Sequence, residues 1–439
     1  MEGIFEAVKN QALIHKSGGG TGFSFGRLRP LDDEVKSTQG IASGPLSFMK
    51  IFDIATEQVK QGGTRRGANM AILPYWHPDI VEFIKMKVNG GVLENFNISV
   101  GIDKDFIESV REHGEYNLTS PRTGRVVRSV RAQEIFELII DSAWRCGDPG
   151  YVVLDRINNS ESNTTPALGE IEATNPCGEQ PLLPNEPCNL GSINLARFVA
   201  ASGGQPEVDY PRLRACVYTA VHFLDNVIDM NNYPIPEIER MAKGNRRIGL
   251  GIMGWAEMLV LLGIPYASPE ALAKAEEVMK FVNEAAHDAS VDLAEKRGVF
   301  FNWVDSVYDP SSKHFRGEEK RPRNCARTTI APTGTIAIAA GLQGSGIEPF
   351  FAISYVRYNA KGLDAIRHGK TPDPETVFVE INPLFKKIAE ENGHFGLRPE
   401  ELWEKINHNH KSIQGIAGIP ERIQRLFVTS HDVPLEQHI

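Results

Sequence analysis

Apolar residues recur at helical spacing through "EGIFEAVKNQALIHK", and the pattern stops at Ser17 and the glycines Gly18, Gly19 and Gly20, which predicts an opening helix. A second helix is predicted over "SGPLSFMKIFDIATEQVKQGG", with Ser43 as N-cap, Pro45 in the first turn and Gly62 at the stop. "GANMAILPYW" reads as a short buried strand, "HPDIVEFIKMKV" as a helix and "ENFNISVGI" as another strand. "RAQEIFELIIDSAWRCGDPG" is an amphipathic helix ended by Gly and Pro, and "GYVVLDRIN" is a strand candidate. "PRLRACVYTAVHFLDNVIDM" and "PEALAKAEEVMKFVNEAAHDASVDLAEKRG" are long helices. "RTTIAPTGTIAIAAG" carries β-branched residues into a small-residue turn and a helix. "YDPSSKHFRGEEKRPRN" is polar and reads as an exposed excursion. Strand and helix alternate without an internal repeat, which points to an α/β fold with many parallel pairings.

A chain of 439 residues suggests two or three domains, or one large α/β barrel. Its net charge of −9 argues against a broad basic surface for a nucleic-acid polymer but leaves room for local basic loops that hold a nucleotide. Five widely spaced cysteines do not make a secreted disulfide framework. The apolar run "EMLVLLGIPYA" is too short for a membrane span, and the acidic start "MEGIFEA" lacks the apolar run of a signal peptide. These features predict a cytoplasmic protein with no membrane partner.

The chemistry concentrates in "ATNPCGEQPLLPNEPCNL", where Asn175, Cys177 and Glu179 alternate and Cys188 follows after three prolines. Pro176 restrains Asn175 toward extended backbone. An extended run would put all three side chains on one face, with neighbouring Cα atoms roughly 6–7 Å apart. An amide, a thiol and an acceptor-only carboxylate could then touch one polyhydroxylated substrate. Four other readings stay open: buried apolar filler, redox or radical chemistry of the two thiols, half of a zinc site without a supporting CxxC, and a nucleophile that would need a partner histidine. "APTGTI" offers hydroxyls and close backbone N–H groups before a helix start, which can cradle a phosphate or be an ordinary turn. Cys146 and Cys216 lie in helical patterns and read as structural, and Cys325 reads as buried.

"NPCGEQPLLPNEPCNLGSINLARF" resembles the active-site loop of ribonucleotide reductase large chains, in the form typical of the adenosylcobalamin-dependent class II enzymes. "AVKNQALIHKSGGGTGFSFGRLRP", "STQGIASGPLSFMKIFD", "QGGTRRGANMAILPYWHPDI" and "APTGTIAIAAGLQGSGIEPFFAISYVRY" resemble further blocks of that family, in order along nearly the whole chain. The resemblance implies a ten-stranded α/β barrel, here incomplete at both ends. It implies effector and substrate loops and a first half-barrel over 1–100, an active-site finger loop over 170–195, and a phosphate-binding segment with the start of the second half over 325–439. Cys177 matches the thiyl-radical cysteine, Glu179 the carboxylate that takes the 3′-hydroxyl proton, and Asn175 the amide that binds the ribose hydroxyls. Cys188 matches one member of the reducing dithiol. Gly20 and the segment Pro332, Thr333, Gly334, Thr335 and Ile336 match substrate-binding positions. Lys16, Ser37, Thr38, Arg65 and Arg66 match the surroundings of an allosteric effector, although Gln39 stands where a glycine is expected.

On this resemblance the chain reduces ribonucleoside di- or triphosphates with adenosylcobalamin, a dNTP or ATP effector and a thioredoxin-type reductant. It would do so as a homodimer or beside complementing chains of a split enzyme. The other redox cysteine of the family is expected upstream of Met1, and shuttle cysteines beyond Ile439, so multiple turnovers are not expected from this polypeptide alone. The rival readings are a nucleotide-binding regulatory or inactive fragment, a class I large subunit, and a glycyl-radical enzyme, for which no C-terminal motif is found.

Overall fold

The computed structural model describes residues 1–35, 40–61, 65–202, 204–358 and 360–438. The chain forms two compact units, one of Met1–Asn189, His222–Gly249 and Ser290–Thr329, the other of Leu190–Val221, Leu250–Ala289 and Ile330–Ile439.

In the first unit a four-stranded sheet has the order Thr21–Ser24, Asn69–Pro74, Phe96–Ile102, Gly150–Val153, all parallel. The two central strands read as continuous apolar runs because their neighbours cover both faces. Asn69–Pro74 is buried throughout; in Phe96–Ile102 Asn97 alone is exposed. The helices Gly44–Gln58, Ile80–Lys85 and Ala132–Cys146 contribute Met49, Phe52, Phe83, Ile84, Ile135 and Ile139 to the core of this sheet. A buried polar network ties the first helix, Glu2–Ser17, to the strands. Gln11 Nε2 and Thr21 Oγ1 both donate to Asn69 Oδ1, at 3.0 and 2.6 Å, while Asn69 Nδ2 donates to Thr56 Oγ1 at 2.9 Å.

The second unit packs the helices Trp255–Leu262, Pro383–Glu391, Pro399–His408 and Glu421–Leu426 around Phe350, Phe385 and Phe427, flanked by the antiparallel hairpin Ser354–Tyr358 and Val377–Ile381.

Three elements differ from the sequence pattern. The second helix ends at Gln58, because Val59 turns extended and leads into the two-residue ladder Lys60–Gln61 with Arg65–Arg66. "GYVVLDRIN" is a strand only to Val153, and Leu154–Asn158 is helical. The hairpin Glu115–Thr119 with Val126–Arg131 is largely exposed, and its apolar alternation is confined to Tyr116 and Leu118 on the first strand; Gly124, at φ 67°, helps close its connection. Among the described residues no helix is long and apolar enough to cross a membrane.

Candidate functional site: a thiol at a turn tip and a thiol in a charged cluster

Ala173–Thr174 pairs antiparallel with Pro181–Leu182, and the six residues between close a hairpin. The extended run predicted for 175–179 is not what forms. Gly178 N–H donates to Asn175 O at 3.1 Å, and Gly178 has φ 88°. Pro176 fixes one dihedral of this turn and Gly178 supplies a left-handed one, so the pair that looked like a stiff strand bends the chain. Asn175 closes the loop from both ends: its N–H donates to Gln180 O at 3.0 Å, and its Oδ1 accepts from Gln180 N–H at 2.9 Å. With Oδ1 committed, the amide has its two Nδ2 hydrogens to offer a ligand.

Cys177 is exposed at the tip, with Asn175 and Glu179 half-buried beside it. Glu179 Oε2 is buried and has no hydrogen-bond partner among the described residues. A buried carboxylate oxygen without a donor is costly, so it marks a place where a ligand donor fits.

The hairpin has a prepared seat. Asn97 Nδ2 donates to Pro176 O at 2.7 Å, and Thr329 Oγ1 donates to Glu179 O at 3.0 Å. A Cβ on Gly20 would lie 2.6 Å from Pro176 Cγ, and one on Gly22 only 1.7 Å from Thr174 O. Gly20, read from sequence as a ligand contact, therefore also has a packing reason to be glycine. A cavity of about 290 Å³ is lined by Gly67, Ala68, Asn69, Glu94, Asn95 and Asn97.

Cys188 sits in different surroundings. Glu186, two residues before it, is fully buried and ion-paired through Oε1 with Arg247 Nε at 2.9 Å. Asn245 Nδ2 donates to the same oxygen at 2.6 Å, and Leu183 N–H to Oε2 at 3.0 Å. Cys325 Sγ lies 3.9 Å from Glu186 Oε1. Burial pushes the Cys188 thiol far up and the Cys325 thiol to about 11, while Arg247 pulls both down and Glu186 pushes both up. Both sulfurs are therefore held as neutral thiols. Cys188 and Arg247 also line a cavity of about 90 Å³.

In the second unit Pro332, Gly334, Thr335 and Ile336 are exposed around the start of the helix Gly334–Ala339. Thr333 is a β-branched residue at φ 55° whose Oγ1 is buried without a hydrogen-bond partner among the described residues. That conformation is strained for threonine. Glu257 holds the following loop, its Oε1 accepting from the N–H groups of Gln343 and Gly344 at 2.8 Å each.

Lys16 is exposed in the last turn of the first helix. Ser37, Thr38 and Gln39 lie outside the described residues; Arg65 and Arg66 are described by their backbone pairing alone. Sequence reasoning missed Asn97, Glu186, Arg247 and Glu257. For Glu257 a signal existed, a lone carboxylate inside the apolar run "WAEMLVLL"; among the described residues it is buried.

In the first unit a parallel sheet thus seats a cysteine-tipped hairpin against glycine strand positions, with a carboxylate beside the thiol. The family model described as "Ribonucleotide reductase, barrel domain" matches residues 1–439. The chain belongs to this ribonucleotide reductase family. A vitamin B12-dependent ribonucleoside-diphosphate reductase of Thermoplasma acidophilum is 48% identical over 440 residues, covering 100% of this chain and 53% of the relative. A protein of the same name from Mycobacterium tuberculosis is 42% identical, covering 100% of this chain and 59% of the relative. The chain thus spans just over half the length of these curated relatives. The alpha subunit of an Actinobacillus ureae class Id ribonucleotide reductase has the same fold, with a TM-score of 0.72 at 22% identity, over 98% of this chain and 70% of that one.

Proposed function

We propose that this chain carries the radical site of an adenosylcobalamin-dependent ribonucleotide reductase, which converts ribonucleotides into 2′-deoxyribonucleotides for DNA synthesis. The observation that carries this reading is the pairing, within one turn, of the exposed thiol of Cys177 with the partnerless oxygen of Glu179. Adenosylcobalamin, when bound, supplies the one-electron chemistry that removes the thiol hydrogen. Cys177 is the residue that meets it, and its exposure at the turn tip suits that role; a sulfur sealed in the core would not.

The Cys177 sulfur then takes the 3′-hydrogen of the ribose. Glu179 Oε2 accepts the 3′-hydroxyl proton, acting as a general base within hydrogen-bond reach. The Asn175 Nδ2 hydrogens bind a ribose hydroxyl oxygen. The C2′–O bond breaks and the oxygen leaves as water with one proton of a dithiol that includes Cys188; that dithiol supplies two electrons and its second proton to C2′ as its disulfide forms, Cys177 returns the hydrogen to C3′, and Glu179 returns the proton to the 3′-oxygen. The neutral state of Cys188 suits a group that must deliver hydrogen rather than act as a thiolate. The cavity beside Asn97 offers room for part of the nucleotide.

Gly20 and residues 332–336 bind substrate in this reading, the latter its phosphates. Lys16, Ser37, Thr38, Arg65 and Arg66 read the nucleotide effector. Residues 1–100, 170–195 and 325–439 take the effector and half-barrel, finger-loop and phosphate roles. The whole enzyme works in the cytoplasm with a thioredoxin-type reductant, as a homodimer or with complementing chains. The test is electron paramagnetic resonance after mixing with adenosylcobalamin and a nucleotide. A cobalt-coupled thiyl signal that is lost in Cys177→Ala is expected; nucleotide binding without any such signal would favour a regulatory fragment instead.

A further inference from the structure

Asn97 is the single exposed position in a strand that is otherwise buried from Phe96 to Ile102. Its side chain is not needed to fill the core. Yet its Nδ2 donates at 2.7 Å to Pro176 O, the carbonyl of the peptide bond that leads into Cys177. That carbonyl is a lever on the thiol: rotation of the Pro176–Cys177 peptide plane swings both its oxygen and the Cα that bears the sulfur. The turn's other bonds close it on itself, through Asn175 O, Asn175 Oδ1 and Gln180 O. Those internal bonds set its shape and leave its aim to outside contacts. Gly20 and Gly22 clear the space below it, and Thr329 holds the Glu179 side. Asn97 is a polar side chain that grips the cysteine side, and it does so from the wall of the 290 Å³ cavity.

We infer that Asn97 is a positioning residue for Cys177, fixing through the Pro176 carbonyl where the thiol sits relative to a ligand in the neighbouring cavity. The inference rests on the proposed function for its catalytic consequence but not for its structural one.

The test uses the full chain carrying Asn97→Asp, which keeps the side-chain shape but when ionised has no N–H to donate, beside Asn97→Gln, which keeps an amide donor. Hydrogen exchange is read on the peptide spanning 175–180 without cofactor or nucleotide. The expected result is exchange about tenfold or more faster in Asn97→Asp, with thermal unfolding unchanged and part of the protection restored in Asn97→Gln. In the assembled enzyme, kcat should fall by about 10- to 100-fold in Asn97→Asp while KM stays within about twofold, because a misplacement near 1 Å is enough for such a loss. Unchanged exchange in Asn97→Asp overturns the inference, and so does an unchanged kcat. If the wild-type protein forms no thiyl radical, the proposed function fails, and the exchange comparison still decides the role of Asn97.

Discussion

One loop carries two thiols, and the fold treats them in opposite ways. Cys177 stands in the open at a hairpin tip, held by backbone hydrogen bonds, one asparagine and two bare glycines. Cys188 follows into a cluster where Glu186 and Arg247 are paired in the interior and a second thiol, Cys325, is fully buried. Reach requires a tip that leaves its sulfur uncovered, so its order comes from the peptide backbone. Containment requires low-dielectric surroundings, so its order comes from charges that must satisfy one another. A buried ion pair is weak evidence for stability in itself, but breaking one leaves an uncompensated charge.

That contrast can be broken most forcefully at Arg247. Arg247→Leu strands Glu186 in the interior and should cost about 3–5 kcal/mol in chemical denaturation, while exchange at 175–180 stays as in wild type. A loss of protection at the tip would show that the two regions are not separately built. Next in size is Gly22→Ala. Its methyl would have to displace the Thr174 carbonyl, at a cost of about 1–3 kcal/mol, and it should raise exchange at 175–180 without altering the surroundings of Cys188. A crystal structure of the variant with an unmoved hairpin would refute this.

A smaller effect follows from pH. The unfolded chain releases a thiol proton near 9.0, whereas folded Cys325 keeps its proton to about 11. Between these values the folded state binds more protons than the unfolded one, so stability falls as pH rises, by up to about 1.4 kcal/mol per pH unit for such a thiol. Below pH 9 the contribution is fully present. Cys325→Ala should flatten that slope in a pH series of denaturation curves; an equal slope in both proteins would show that Cys325 does not titrate this way. The gentlest probe is iodoacetamide at neutral pH. The exposed Cys146 and Cys177 should label at least about tenfold faster than Cys188 and Cys325, by peptide mass analysis. Early labelling of Cys325 would contradict its sealing.

The sequence pattern made the helices legible wherever one face is apolar, as in Ala132–Cys146 and Pro269–Arg297. It made the central strands legible because burial on both sides leaves an unbroken apolar run. It also grouped the candidate site, since Asn175, Cys177 and Glu179 are neighbours in the chain. It does not give their backbone: Pro176 favours an extended Asn175, but a proline with a positive-φ glycine two residues on makes a turn. The hairpin Glu115–Thr119 with Val126–Arg131 left a short apolar trace, Tyr116 and Leu118 between exposed Glu115 and Asn117, too brief to mark a strand. The charged cluster could not be read at all. Glu186 and Cys325 are 139 residues apart and meet only in three dimensions. Asn97 is, with Ser99, a polar letter in an otherwise apolar strand, and its partner is a backbone carbonyl, which no side-chain pattern announces.

The bare floor at Gly22 has a consequence for how this gene can drift. Saturation mutagenesis across Thr21–Ser24 should find Gly22 intolerant even of alanine, for no reason visible in a local alignment of chemistry. The smallest addition a codon change can make, one methyl group, would push on the hairpin that carries a sulfur atom encoded far downstream, so any constraint on that hairpin is felt at a distant strand position.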